Sequence, residues 1–261
     1  MVQLFASILR LEEDGQYYLV TPVETHIATV GIEKIVPSME HATVLLRLLS
    51  RAAIGAEITQ YTTFYNGPKR KGDADGPENM HIVLVDNHRT EMLGEFLRPM
   101  LRCIRCGACM NHCPVYAAIG GHAYGSVYPG PMGSVLTPAM QDLNSTKDLP
   151  NACTLNGRCK EVCPVNIPLT DMLRSLRARQ FERDLTPPMT RYALVGWSWL
   201  AQRPKLYHLA TSLAMFAMRI WSMNRGRIRW FPMAGGWTQN RDLPQPELTT
   251  FMQQYRRTDH K

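Results

Sequence analysis

Cysteine is absent from residues 1–102 and again from residues 164–261, so that all seven lie between Cys103 and Cys163. Thiols confined to one stretch do not form the spread-out framework of a disulfide-stapled domain, and in a reducing compartment such clustering points to metal. Long apolar runs are also missing. The most apolar stretch, Leu206 to Met218, is bounded by Lys205 and Arg219 and falls short of the roughly 20 residues that cross a bilayer. The N-terminus, MVQLFASILRLEEDG, has no basic start and soon turns acidic, unlike a secretory signal. The expected location is the cytoplasm, with the inner membrane face as a peripheral site. No Ser/His/Asp set, paired carboxylates or lone activated cysteine stands out. The glycines of 120–138 lack a strand–GxGxxG–helix context, which excludes a nucleotide site of that kind.

The 261 residues are 45% apolar and 20% charged, a globular composition with enough chain for a real core. The net charge of +7 is unevenly spread. Residues 171–261 carry 15 Lys+Arg against 6 Asp+Glu, whereas residues 1–170 carry 14 against 16. A basic C-terminal third fits an acidic protein or an anionic membrane surface. Few aromatics interleave with Arg225, Arg227 and Arg229, which argues against nucleic acid.

The pattern along the chain predicts an α+β protein in three parts. Residues 1–98 read as α/β, with strands at Tyr17–Val20, Thr25–Val30 and, as an extension, Ile32–Val36. Ser38 opens a helix running through Ala42–Ala53, Glu57–Tyr65 is β-rich, 66–77 is a polar Gly/Pro loop, and His81–Val85 has the short apolar form of a buried strand. Arg89–Leu101 reads as helix. Residues 99–170 form a cysteine-bearing, α-helical module whose central Gly/Pro-rich stretch, GGHAYGSVYPGPMGSVLTP, is expected to be irregular. Residues 171–261 are helical and basic, broken at Pro187–Pro188, with an extended arm and a short final helix.

Two cysteine groups form one repeat. The first is Cys103-x2-Cys106-x2-Cys109-x3-Cys113-Pro114; the second is Cys153-x5-Cys159-x3-Cys163-Pro164. Three thiolates two residues apart can occupy three corners of a cubane, while the fourth, followed by a chain-bending proline, reaches the other cluster. Gly107 and Gly157 let the backbone pass close to inorganic sulfide. Crossed ligation then defines site A as Cys103, Cys106, Cys109 and Cys163, and site B as Cys113, Cys153 and Cys159. Asn156 stands where an eighth cysteine would complete site B. The expected cofactors are a 4Fe-4S cluster at site A and a 4Fe-4S or 3Fe-4S cluster at site B. Zinc prefers separated cysteine pairs and is the lesser alternative. A purely structural cluster is another.

The segment RCIRCGACMNHCPVYAAIGGHAYGSVYPGPMGSVLTP resembles the iron–sulfur region of the lactate utilization protein B family. HIATVGIEKIVPSMEHATVLLRLLSRAAIGAEITQYTTFYNGPKRKGDADGPENMHIVLVDN is similar to the end of that family's LUD domain, and GGWTQNRDLPQPELTTFMQQYRR to its C-terminal arm. The resemblance implies a cytoplasmic protein with two cubane-type clusters, an electron-carrying, non-catalytic subunit acting with two partner proteins in oxidation of L-lactate to pyruvate. Family members are about twice as long, and Met1 falls inside the LUD domain. Such a partial domain would expose a sheet edge and an apolar face. Two other readings remain open: an iron–sulfur subunit of another 2-hydroxy-acid oxidase or heterodisulfide-reductase-like system, and a non-redox iron–sulfur binding module.

Around the repeat, Arg102, Arg105, Arg158 and Lys160 are candidate cations for an anionic cluster. His112 and His122 read as loop histidines, with His122 the better substitute ligand at site B. The Trp and Met residues of 197–223 fall at helical spacing and read as core or a docking face.

Overall fold

The computed structural model describes residues 24–59, 62, 64–65, 67–73, 76–222, 226–231, 235–247 and 249–258, with the backbone of three two-residue strands nearer the N-terminus. These are β1 (Gln3–Leu4), β2 (Arg10–Leu11) and β3 (Tyr17–Tyr18). β2 pairs antiparallel with β3; Leu19 and Val20, also expected in strand, lie outside the described residues. The chain divides into two compact units, Met1–Leu185 and Thr186–Lys261.

In the first unit, β4 (Thr25–Gly31) ends in a tight 3-10 turn over Ile32–Lys34, and β5 (Ile35–Val36) pairs antiparallel with β1. The turn interrupts the continuous strand that the sequence predicts. Helix α1 (Met39–Ile54) starts after Ser38 and stops at Gly55, whose φ of 74° only glycine adopts at low cost. β6 (Asn79–Val85) then pairs parallel with β4, from Thr25 opposite Asn79 to Gly31 opposite Val85. His26, Ala28 and Val30 alternate into the interior from β4. β6 is different: Ile82, Val83, Leu84 and Val85 are all exposed, so the buried-strand reading of His81–Val85 fails. With two strands in this sheet, no layer among the described residues covers β6. The described residues of 57–65 are irregular rather than β.

Arg89–Leu101 forms turns and two short 3-10 segments, Glu91–Gly94 and Arg98–Arg102, instead of an α-helix. Gly94 and Pro99 deny it a continuous backbone hydrogen-bond ladder. Then follow α2 (Ala108–Asn111), α3 (Pro114–Ile119), α4 (Gly130–Met140), α5 (Asp148–Asn151), α6 (Arg158–Glu161) and α7 (Leu169–Glu182). α4 overturns the expectation of an irregular linker for residues 130–138, whereas 120–129 hold only turns and one 3-10 segment. Its Pro131 sits in the first turn, where no intrahelical N–H is needed. Residues 130–138 are all buried, and that burial overrides weak helix propensity.

The core of this unit gathers Met100, Val135, Leu136, Ile167, Met172 and Leu173 from the 3-10 segment, α4, α7 and the turn before α7. Cys159 belongs to it, and Cys103, Cys109, Cys153 and Cys163 pack on its edge. Five of the seven cysteines are therefore held in or against this core.

The second unit begins with the helices α8 (Pro188–Ala201) and α9 (Pro204–Trp221), each opened by a proline in its first turn. β7 (Arg227–Ile228), the single turn α10 (Gly235–Thr238), β8 (Leu243–Pro244) and α11 (Phe251–Thr258) complete it, with β7 antiparallel to β8.

Candidate iron–sulfur site

The sequence repeat is also a backbone repeat. Arg105 and Leu155, two residues after Cys103 and Cys153, have φ of 58° and 57°. Gly107 and Gly157 follow with φ of 78° and 86°, and each opens a single helical turn, α2 and α6. This alternation wraps each loop around a point and turns backbone N–H groups toward sulfur. Leu155 N–H donates to Cys153 Sγ at 3.3 Å, Tyr116 N–H to Cys113 Sγ at 3.4 Å and Ile167 N–H to Cys163 Sγ at 3.4 Å.

The thiols fall into two sets. Cys103, Cys106, Cys109 and Cys163 line one apolar cavity, closed by Met110, Met132 and Leu169. Cys159 lies in the electrostatic field of Cys153 and Cys113. Cys109 feels Cys103 and Cys106 and, more weakly, Cys159, so the two sets are neighbours. Burial pushes the thiols of Cys103, Cys109 and Cys159 up, to about 12 for Cys109 and about 11 for Cys159. Iron would reverse that preference, because a bound cation stabilises thiolate. Buried and half-buried, adjacent thiols with N–H donors aimed at sulfur thus fit a cluster. Among the described residues, no three His, Cys, Asp or Glu side chains converge to hold a single metal ion.

The second set has three thiols. Asn156 is exposed, and its Oδ1 accepts from Arg158 N–H at 3.3 Å. His122 and His112 are exposed as well. The group beside this set is Tyr124, two residues past His122. It is 5% exposed, and its buried hydroxyl lies against the Cys113 thiol. Burial pushes its phenol up to about 12, and the neighbouring Cys113 and Cys153 push the same way.

The flanking cations have other engagements. Arg158 pairs with Glu161 at 2.8 Å, and Lys160 with Asp171 at 2.6 Å. Arg102 donates to Asn166 O at 3.3 Å. Arg105 sits over the Tyr128 ring, 4.6 Å from its centroid. Two cations that the sequence did not single out hold the loops themselves. Lys34 Nζ donates to the carbonyl oxygen of Cys103. Arg177 on α7 donates to the carbonyls of Cys153 at 2.6 Å and Pro150 at 2.9 Å. Glu33, half-buried and 2.6 Å from Arg89, sits next to Lys34 and faces Arg105 at 3.9 Å. No spacing rule reveals Lys34, 69 residues before Cys103.

Paired cysteine loops in a small helical module have the form of a ferredoxin-type domain, and the model of the 4Fe-4S dicluster domain matches residues 99–167. The LUD domain model matches residues 13–85, and that of lactate utilisation protein B, C-terminal, matches residues 182–259. Over 94% of its length the chain is similar to lactate utilization protein B of Anoxybacillus flavithermus, with 40% identity, covering 52% of that protein. Lactate utilization protein B of Geobacillus thermodenitrificans is 41% identical over 96% of the chain and 53% of its own length. An uncharacterized electron transport protein of Escherichia coli, YkgF, is 39% identical over 94% of the chain and 52% of its own length. The chain thus spans about half the length of the relatives it matches. No solved structure matches it.

Proposed function

We propose that this chain is the iron–sulfur electron-transfer component of a complex that oxidises L-lactate to pyruvate in the cytoplasm. The observation that carries the reading is the sorting of seven cysteines into two adjacent sets that cross between repeats. Cys103, Cys106, Cys109 and Cys163 would hold one cluster, and Cys113, Cys153 and Cys159 the other, with Asn156 at the missing position. The clusters supply one-electron redox chemistry, which no side chain here offers. The chain's own work is placement and tuning. Its N–H donors to sulfur and its nearby cations stabilise negative charge, and its apolar walls keep water away. Names and family matches support a role in lactate utilization, with other lactate-utilization proteins as partners.

The test is to isolate the chain anaerobically with the proteins that co-purify with it and to add L-lactate. Bleaching of the cluster absorption and growth of reduced-cluster EPR signals, absent with D-lactate, are expected. Clusters that dithionite reduces but L-lactate leaves oxidised in the intact complex would overturn the substrate assignment.

A further inference from the structure

Helix α9 is turned inside out. Leu206, Leu209, Leu213, Phe216 and Ile220 recur every three or four residues and form one stripe, each 43–60% exposed. Tyr207, His208, Thr211, Met215 and Met218, on the other side, are half-buried. Helix α8 has no fully buried residue either, and its Tyr192, Val195 and Trp199 are exposed. Four indoles, those of Trp197, Trp199, Trp221 and Trp230, are 52–61% exposed. An apolar stripe of this length facing solvent calls for a partner.

Charge says which kind. From Leu185 to Arg241 the sequence has no Asp or Glu and eight Arg or Lys. Lys205 and Arg219 lie near the two ends of α9, beside the first and last residues of the stripe. A helix with one apolar face, basic residues and indoles is the kind that lies in the interface of an anionic bilayer. There indoles sit at headgroup depth, and Arg and Lys meet lipid phosphate. No described helix is long and apolar enough to cross a membrane, so the helix would lie on the surface rather than through it. We propose that the α8–α9 hairpin docks on an anionic lipid bilayer, the α9 stripe entering the headgroup–acyl boundary. This rests on the second unit alone and stands whether or not the thiols carry iron.

The experiment is flotation of the full-length chain, as purified, with two vesicle types. One is phosphatidylcholine alone and the other is phosphatidylcholine with phosphatidylglycerol. Binding to the anionic vesicles, weakened by high salt, is expected, with little binding to the neutral ones. The double variant Leu209→Glu/Phe216→Glu, at two exposed positions, should bind about tenfold more weakly or worse. Tryptophan quenching by brominated lipid gives a readout on the unmutated chain and is expected only with anionic vesicles. Absence of binding to both vesicle types, equal binding by the double variant, or capture of the stripe by an acidic protein without lipid would overturn the proposal.

Discussion

Lys34 donates from its ammonium group to the backbone carbonyl of Cys103, and Arg177 does the same for Cys153, the equivalent residue of the second repeat. The two cations come from opposite ends of the first unit, a turn after β4 and helix α7, yet hold matching points of the two loops. A cation at that position favours the reduced, more negative state of the adjacent cluster. Lys34→Met should therefore lower the potential of site A and leave site B near its original value. Arg177→Met should do the reverse. Each should also cost about 1.5–3 kcal/mol of stability, because a hydrogen bond to a charged group is lost. Potentiometric EPR titration and denaturant unfolding measure both effects. Equal shifts at both sites in either variant would contradict the pairing.

In the proposed site B, Asn156 stands at the corner that carries no thiolate. Mild ferricyanide oxidation of the native chain should generate the EPR signal of an oxidised three-iron cluster. Asn156→Cys sits at the backbone position that Cys106 occupies in the first repeat, so it should suppress that signal. Persistence of the signal in the variant would mean that the missing corner lies elsewhere.

Tyr124 presents a buried hydroxyl beside Cys113 and Cys153. Sulfur at site B is the acceptor within its reach, and hydrogen bonds to cluster sulfur raise reduction potentials. Tyr124→Phe keeps the ring and its packing. The expected result is a lower potential at site B with site A unchanged and thermal stability close to native. An unaltered site B would show that the hydroxyl has no role there.

Gly133 lies where α4 meets the preceding loop, and a β-carbon there would run into the carbonyl oxygen of Tyr128. In an ordinary helix Gly→Ala stabilises by up to about 1 kcal/mol. Here Gly133→Ala should instead cost about 1–3 kcal/mol through overpacking. It should also loosen iron at site A, because Met132, next in the chain, closes that cavity. Denaturant unfolding with iron retention during dialysis checks this. A gain in stability would show that the contact yields freely.

The cysteine module was legible in the sequence because its rules are local. A cubane fixes the spacing of three thiolates, and Gly107 and Gly157 mark the left-handed residues that the wrap requires. Helix α4 was not legible, since Gly130, Pro131 and Pro138 speak against a helix until tertiary burial outweighs propensity. His81–Val85 carried the composition of a buried strand, but composition does not record whether a covering layer is present. Lys34, Arg177 and Tyr124 escaped notice for a different reason. Their functions depend on contacts between segments far apart in the chain, and nothing in their own neighbourhoods marks them. The exposed tryptophans of α8 and α9 fit a helical period equally well as core or as docking face, and only their burial separates the two.

The most direct test of the account is the iron and acid-labile sulfide content of the chain purified without oxygen, read together with its EPR spectra. The two-set arrangement predicts about seven to eight irons per chain with matching sulfide, and interacting signals from two neighbouring clusters after reduction. Zinc in place of iron, or about four irons with a single isolated signal, would contradict it.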